Sequence, residues 1–242
     1  LLLFATVCIW VVVHVTREHL PARRMETRDY LFLAILLVFA LALGAAAQWM
    51  AELSAESSTH FGSKTLLYAV PLTTGAMMAC IFFGVTVSLL FSLILTLFAS
   101  MLFGRDFGLF FYFLIGSFVA AHCTSSCRTR MVPIKAGLLV GGANVVLILL
   151  SALVLDQWVI LRVLTNAFFG LCGGIFAGIL VTGFTPLVEM SFGYTTDIKL
   201  LELATMDQPL LQELMVQAPG TYHHSIIVAS LVESAAESIG AN

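Results

Sequence analysis

An all-α protein that crosses a membrane several times is the fold class this sequence predicts, and two observations carry the prediction. Hydrophobic residues make up 60% of the 242-residue chain and charged residues only 10%, with a mean hydropathy of +1.02. Soluble domains run at about half apolar and about a quarter charged. The apolar residues are also gathered into runs near the ~20 residues a helix needs to cross a bilayer, with shorter ones allowed where tilt or neighbouring helices help. The predicted architecture is a seven-helix bundle followed by the start of a helical cytoplasmic domain.

Seven runs qualify: residues 1–15, 31–50, 66–83, 85–103, 109–123, 134–155 and 163–187. The first, "LLLFATVCIWVVVHV", is short for a crossing and lacks the positive n-region and small-residue cleavage site of a signal peptide. It reads as a transmembrane helix whose beginning is missing. The third and fourth runs are divided only at Phe83-Gly84, where one long kinked helix is the alternative and would change the parity of the crossings.

Orientation follows from arginine and lysine, which short cytoplasmic loops retain. The loop after the first run holds Arg17, Arg23, Arg24 and Arg28, and the loop after the fifth holds Arg128, Arg130 and Lys135. Intervening loops carry Lys64, Arg105 and Arg162, one each. The chain therefore starts outside and its C-terminal tail is cytoplasmic. A net charge of −3 with no basic patch argues against nucleic acid as a partner.

Ionisable groups within membranes mark transport paths or proton relays, and few occur here. His14, His122, Asp106, Asp156 and Glu189 lie near run ends or in short loops, where interfacial placement is the expectation. Small residues are plentiful: Gly170, Gly174 and Gly178 repeat at four-residue spacing, which lets helix backbones approach closely. Gly141, Gly142 and Asn144 are read as packing residues too, with Asn144 hydrogen-bonding across helices. The five cysteines mostly sit inside apolar runs and do not form a secreted disulfide framework. The "HCTSSC" cluster of His122, Cys123 and Cys127 lacks the second ligand pair that structural zinc wants. A transporter or channel would need ionisable or broken-helix features at mid-membrane. Pro71 with Gly75, and the glycines of the seventh run, are the candidates, and no charge accompanies them.

After Gly193 the composition turns polar. "YTTDIKLLELATMDQPLLQELMVQAPG" reads as short amphipathic connector helices, with Leu200, Leu201, Leu203, Leu210, Leu211 and Leu214 at helical spacing. Asp207 and Pro209 mark a helix start and Pro219-Gly220 its end. Thr221 is the expected cap of a last helix over residues 222–239, closed by Gly240. Ile227, Val228, Leu231 and Ala235 follow His224 at i+3, i+4, i+7 and i+11, which puts this histidine on an apolar stripe expected to be buried. A neutral imidazole is also the commonest metal ligand.

The run from "PLVEMSFGYTTDIKLLELA" through "PLLQELMVQAPGTYHHS" to "AESIGAN" resembles the seven-transmembrane receptors with an intracellular HD hydrolase domain, the PgpH-type cyclic-di-AMP phosphodiesterases. The resemblance implies three parts: a membrane region over 1–190, a connector over 191–220 and the first HD helix over 221–242. It implies a dinuclear site of divalent iron or manganese, with His224 as its first ligand and His223 beside it as a supporting or surface residue. The His-Asp pair that names the domain, the later ligands and an extracellular ligand-binding domain would lie outside these residues. Hence the full-length protein is expected to hydrolyse cyclic-di-AMP to pApA at a bacterial plasma membrane, and residues 1–242 alone are expected to be inactive. Membrane lipid, the cyclic dinucleotide and an extracellular ligand are the implied partners, with homo-oligomerisation left open. Pro186, which can break or kink the seventh helix, and Glu189 are the expected signal-coupling residues.

Overall fold

The computed structural model describes residues 25–57, 64–154, 159–205 and 207–241, and the first predicted crossing lies outside them. The chain forms two compact units, Leu1–Thr196 and Asp197–Asn242. Among the described residues the first unit holds six spans long and apolar enough to cross a membrane. They are built from α1 (Thr27–Ser57), a 3-10 turn (Thr65–Ala69) leading into α2 (Thr73–Phe83), α3 (Val85–Leu102), α4 (Phe107–Thr124), α5 (Val132–Val154) and α6 (Ile160–Phe192). No strand occurs among the described residues.

The division at Gly84 is real. Gly84 takes φ 84° and ψ 175°, which ends α2 and starts α3 at a single residue; a side chain would be strained there. The two helices then fold back on each other. Ser88 Oγ donates to the Ala76 carbonyl at 2.7 Å, and a Cβ on Gly75 would lie 3.1 Å from Leu95. Ser88, Ser92 and Thr96 repeat every four residues, are fully buried, and the last two bond their hydroxyls to the carbonyl one turn back. Small side chains whose own hydroxyls are satisfied let α3 lie close against α2. α2 is the central helix, with nine of its 11 residues buried.

The span over Thr65–Phe83 is itself not continuous. It begins as the 3-10 turn and changes to α-helix after Val70 and Pro71, because proline cannot donate to the preceding turn. One carbonyl of that break, on Tyr68, accepts the Tyr112 hydroxyl of α4 at 3.0 Å. Gly173 of α6 packs against the same place: a Cβ there would come within 2.8 Å of the Tyr68 oxygen. The break that a transporter reading would favour is thus covered by a phenol and a glycine face.

Closest of all is the approach of α5 to α6. A Cβ on Gly174 would lie 2.3 Å from Gly141 N, one on Gly137 2.6 Å from the Gly174 carbonyl oxygen, and one on Gly178 2.6 Å from the Pro133 carbonyl oxygen. The four-residue glycine spacing thus marks a backbone-to-backbone seam, and Asn144 Nδ2 crosses it to the Gly170 carbonyl at 3.1 Å. Gly142, grouped with these by sequence, faces open space, whereas Gly137, which the motif did not include, is part of the seam.

The second unit comprises α7 (Asp197–Leu203), α8 (Pro209–Gln217) and α9 (Pro219–Ser238). Pro209 occupies the first turn of α8 as expected. The start of α9 differs from expectation. Pro219 opens the helix and Thr221 lies inside it, so Thr221 is not the cap; no side-chain cap bond is made. The fixed φ of proline suits the first helical position, where its missing N–H costs nothing. Gly240, at φ 65°, closes the far end as the spacing predicts.

Candidate signal-coupling site

The end of α6 and the four residues after it gather buried polar groups from two helices. α6 runs unbroken across Pro186 to Phe192, five residues beyond the predicted end, so the proline does not break the helix. Its missing N–H deprives the Thr182 carbonyl of a helical partner. Nearby hydroxyls back-bond within the helix, Thr182 to the Gly178 carbonyl at 2.9 Å and Thr185 to that of Val181 at 2.7 Å. One turn on, Glu189 is turned inward and buried within the protein.

Gly193 adopts the left-handed conformation, φ 67° and ψ 28°, which stops α6 and redirects the chain. Residues 194–196 then return to the bundle. The Tyr194 hydroxyl donates to Asp29 Oδ1 at 2.8 Å, and the Thr196 hydroxyl donates to Glu189 Oε1. All four side chains are buried, none more than 5% exposed. Asp29 lies in the first turn of α1, where a carboxyl complements the helix N-terminus, and its Oδ2 accepts the Glu26 N–H at 2.9 Å.

Aromatic rings enclose the tyrosine. Phe192 stacks on it with ring centres 5.8 Å apart, Phe82 stands at 5.2 Å, Phe83 at 5.7 Å and Phe32 at 5.8 Å. The Arg28 guanidinium lies 5.6 Å above the ring and reaches the Phe192 carbonyl at 3.4 Å. Leaving a buried donor or acceptor unpaired costs about 1–3 kcal/mol, so each hydroxyl–carboxyl pair fixes the linker well beyond thermal energy. Glu189 was singled out from sequence; Asp29, Tyr194 and Thr196 were not. Their signal was faint: Asp29 closes the polar loop "METRD" next to an apolar run, and the "YTT" run reads as helix-cap residues.

His224 and His223 belong to the second unit. Both stand exposed near the start of α9, with the His223 ring 6.4 Å from that of Tyr222. The stripe of Ile227, Val228, Leu231 and Ala235 is exposed as well, so the expected burial of His224 is corrected. The reason is physical: a stripe is buried only when another element covers it, and Tyr222 is the one buried residue among those described on α9. No group of three or more His, Cys, Asp or Glu side chains that could hold a metal ion occurs among the described residues. His122 is exposed in the last turn of α4, Cys127 is buried, and the Cys80 thiol donates to the Ala121 carbonyl at 3.1 Å. His14 and Asp156 lie outside the described residues.

Asp106 belongs to the opposite end of the bundle. It caps α4, accepting the N–H groups of Gly108 at 2.8 Å and Leu109 at 3.2 Å, and it pairs with Lys64 ahead of the 3-10 turn. Partial burial pushes its carboxyl up, but the Lys64 ammonium and the two backbone N–H groups outweigh this and hold it below the ordinary carboxylate value. A carboxyl depressed in the folded state stabilises at pH above its unfolded value and loses that contribution as pH falls through the folded one. Below pH ~4 the melting temperature of the bundle in detergent should therefore fall more steeply than that of an Asp106→Asn variant. Parallel acid profiles would contradict the assignment. The effect is small, about 1 kcal/mol or less, because Lys64 is largely exposed.

These features define a multi-pass helical membrane protein whose last span passes through a tied linker into a separate unit. The family described as 7TM receptor with intracellular HD hydrolase matches residues 1–196. This chain belongs to that family. It is similar to the cyclic-di-AMP phosphodiesterase PgpH of Bacillus subtilis (strain 168), 31% identical over 183 residues that make up 72% of this chain and 26% of the relative. The PgpH of Listeria monocytogenes serotype 1/2a (strain 10403S) is 43% identical over 109 residues, 44% of this chain and 15% of that protein. An uncharacterized Synechocystis protein, slr0104, is 31% identical over 139 residues, 54% of this chain and 17% of its own. The chain thus spans about a quarter or less of the curated relatives it matches. No solved structure matches it significantly.

Proposed function

We propose that these residues are the membrane sensor and connector of a metal-dependent phosphodiesterase that opens cyclic-di-AMP to pApA at a bacterial plasma membrane. The observation that carries this reading is the family match over residues 1–196 together with two relatives named for that activity. Charge supports the direction of insertion. With six described spans, Arg28, Arg128, Arg130, Lys135 and the exit of α6 all fall at one end, and Lys64, Arg105 and Arg162 at the other. By the positive-inside rule the richer end, with the linker and second unit, is cytoplasmic.

His224 is the residue of this chain that would hold a metal. Its imidazole is accessible one turn into a helix, which suits a ligand, but one nitrogen cannot hold two ions, so the site needs ligands from elsewhere in the protein. A pair of bound divalent ions, iron or manganese, would supply the charge that activates water and neutralises the phosphoryl oxygens. His223, turned about 100° from it around the helix, would support or flank that ligand.

The test is an assay of the full-length protein in detergent beside residues 1–242. Full-length protein should convert cyclic-di-AMP to pApA, lose the activity to a chelator and regain it with Mn²⁺ or Fe²⁺; residues 1–242 should release none. A full-length protein that is inert with either metal would defeat the reading.

A further inference from the structure

We propose that residues 193–196 form a releasable latch, in which the Tyr194–Asp29 and Thr196–Glu189 hydrogen bonds pin the exit linker to two different helices and so couple their relative position to the second unit. The inference rests on the reading of the bundle as a sensor ahead of a hydrolase. Its basis is the division of partners. Both hydroxyls belong to the linker, while the carboxyls belong to the bundle, Asp29 on α1 and Glu189 on α6.

α1 packs closely against the 3-10 turn, α2 and α3, whereas α6 packs against α5, the 3-10 turn and α2. Side chains near this end join α1 to α6, through Phe32 to Phe192 at 5.1 Å and Phe39 to Phe184 at 5.6 Å. A shift of α1 along or away from α6 moves Asp29 relative to Glu189. Only Thr195 separates Tyr194 from Thr196, a reach too short to follow both carboxyls, so one bond must open. Since α6 meets α5 backbone to backbone, the movable partner is α1. A bound state with both hydroxyls engaged and a released state with one free give the linker the two discrete arrangements that coupling requires.

The experiment uses the full-length protein in lipid nanodiscs, with hydrogen–deuterium exchange across the linker read beside cyclic-di-AMP hydrolysis. Two linker variants, Tyr194→Phe and Thr196→Val, each remove one hydroxyl and leave the bundle's own residues intact. Each should speed exchange in residues 193–196 about tenfold while α5 and α6 stay as protected as before. Each should also shift the hydrolysis rate away from that of the unaltered protein. Unchanged exchange in both variants would overturn the latch, and faster exchange with an unchanged hydrolysis rate would overturn its control of the second unit. An unaltered protein without hydrolysis would sink the functional reading alone, because exchange judges the latch by itself.

Discussion

Gly174→Ala is expected to be the most damaging single-methyl change in the membrane bundle. Its added carbon would sit 2.3 Å from Gly141 N, 2.5 Å from Gly141 Cα and 2.7 Å from the Gly137 carbonyl oxygen. Those are backbone atoms of a facing helix, so no rotamer change relieves the clash, and α5 and α6 must separate along the whole seam. Overpacking of this kind costs about 3 kcal/mol. Separation would also stretch the Asn144–Gly170 hydrogen bond, leaving the buried Asn144 N–H group unpaired. The control is Gly142→Ala, on the facing helix α5 beside Gly141 but pointing into open space. That substitution should be neutral or stabilising by about 0.5–1 kcal/mol through the lower helix propensity of glycine. Melting in detergent should rank Gly174→Ala well below wild type and Gly142→Ala at or above it. Equal midpoints for the two variants would refute the seam.

Within the functional reading, His224→Ala in the full-length protein is expected to abolish metal-dependent hydrolysis, and His223→Ala is not. Loss of a residue that merely supports a ligand costs about 10–100-fold in affinity or activity, and loss of a ligand itself should exceed that range. The two histidines are consecutive and both exposed on α9, so changes in folding or expression would affect both alike. Metal content measured alongside activity separates the cases: His224→Ala should bind less metal per chain, His223→Ala a normal amount. A reversed order would transfer the ligand to His223, and two active variants would remove α9 from the metal site.

What could be read from sequence was local and periodic. The apolar runs, the four-residue glycine spacing and the glycine at Gly240 all depend on neighbours within a few turns, and Asn144 could be read as a cross-helix donor only by type, without its partner. Helix ends were legible less well. α1 and α6 extend past their apolar windows, to Ser57 and Phe192, because a helix does not stop where hydrophobicity does. Long-range partners were not legible at all. Asp29 and Tyr194 stand 165 residues apart, and nothing in either neighbourhood announces the other. Gly137 and Gly142 show the same limit on a smaller scale: which glycine meets the neighbouring helix depends on the rotation of α5, and an apolar helix without a polar face carries no periodic record of that angle. The stripe on α9 was read correctly as a stripe, but burial is a property of two surfaces and the sequence of one helix holds only the first.

The length of α6 has a consequence for where its end stands. Thirty-three residues extend about 50 Å at 1.5 Å each, against a hydrocarbon layer of ~30 Å. Arg162 and Glu189 are 27 positions apart, about 40 Å, so in an upright helix the two cannot both lie within the apolar layer. The helix must tilt or overhang, which brings its last turns to the level of the lipid headgroups. A thicker or thinner membrane changes that overhang, and the mismatch is felt as force at the point where α6 gives way to the linker. A change in membrane thickness would load that junction mechanically.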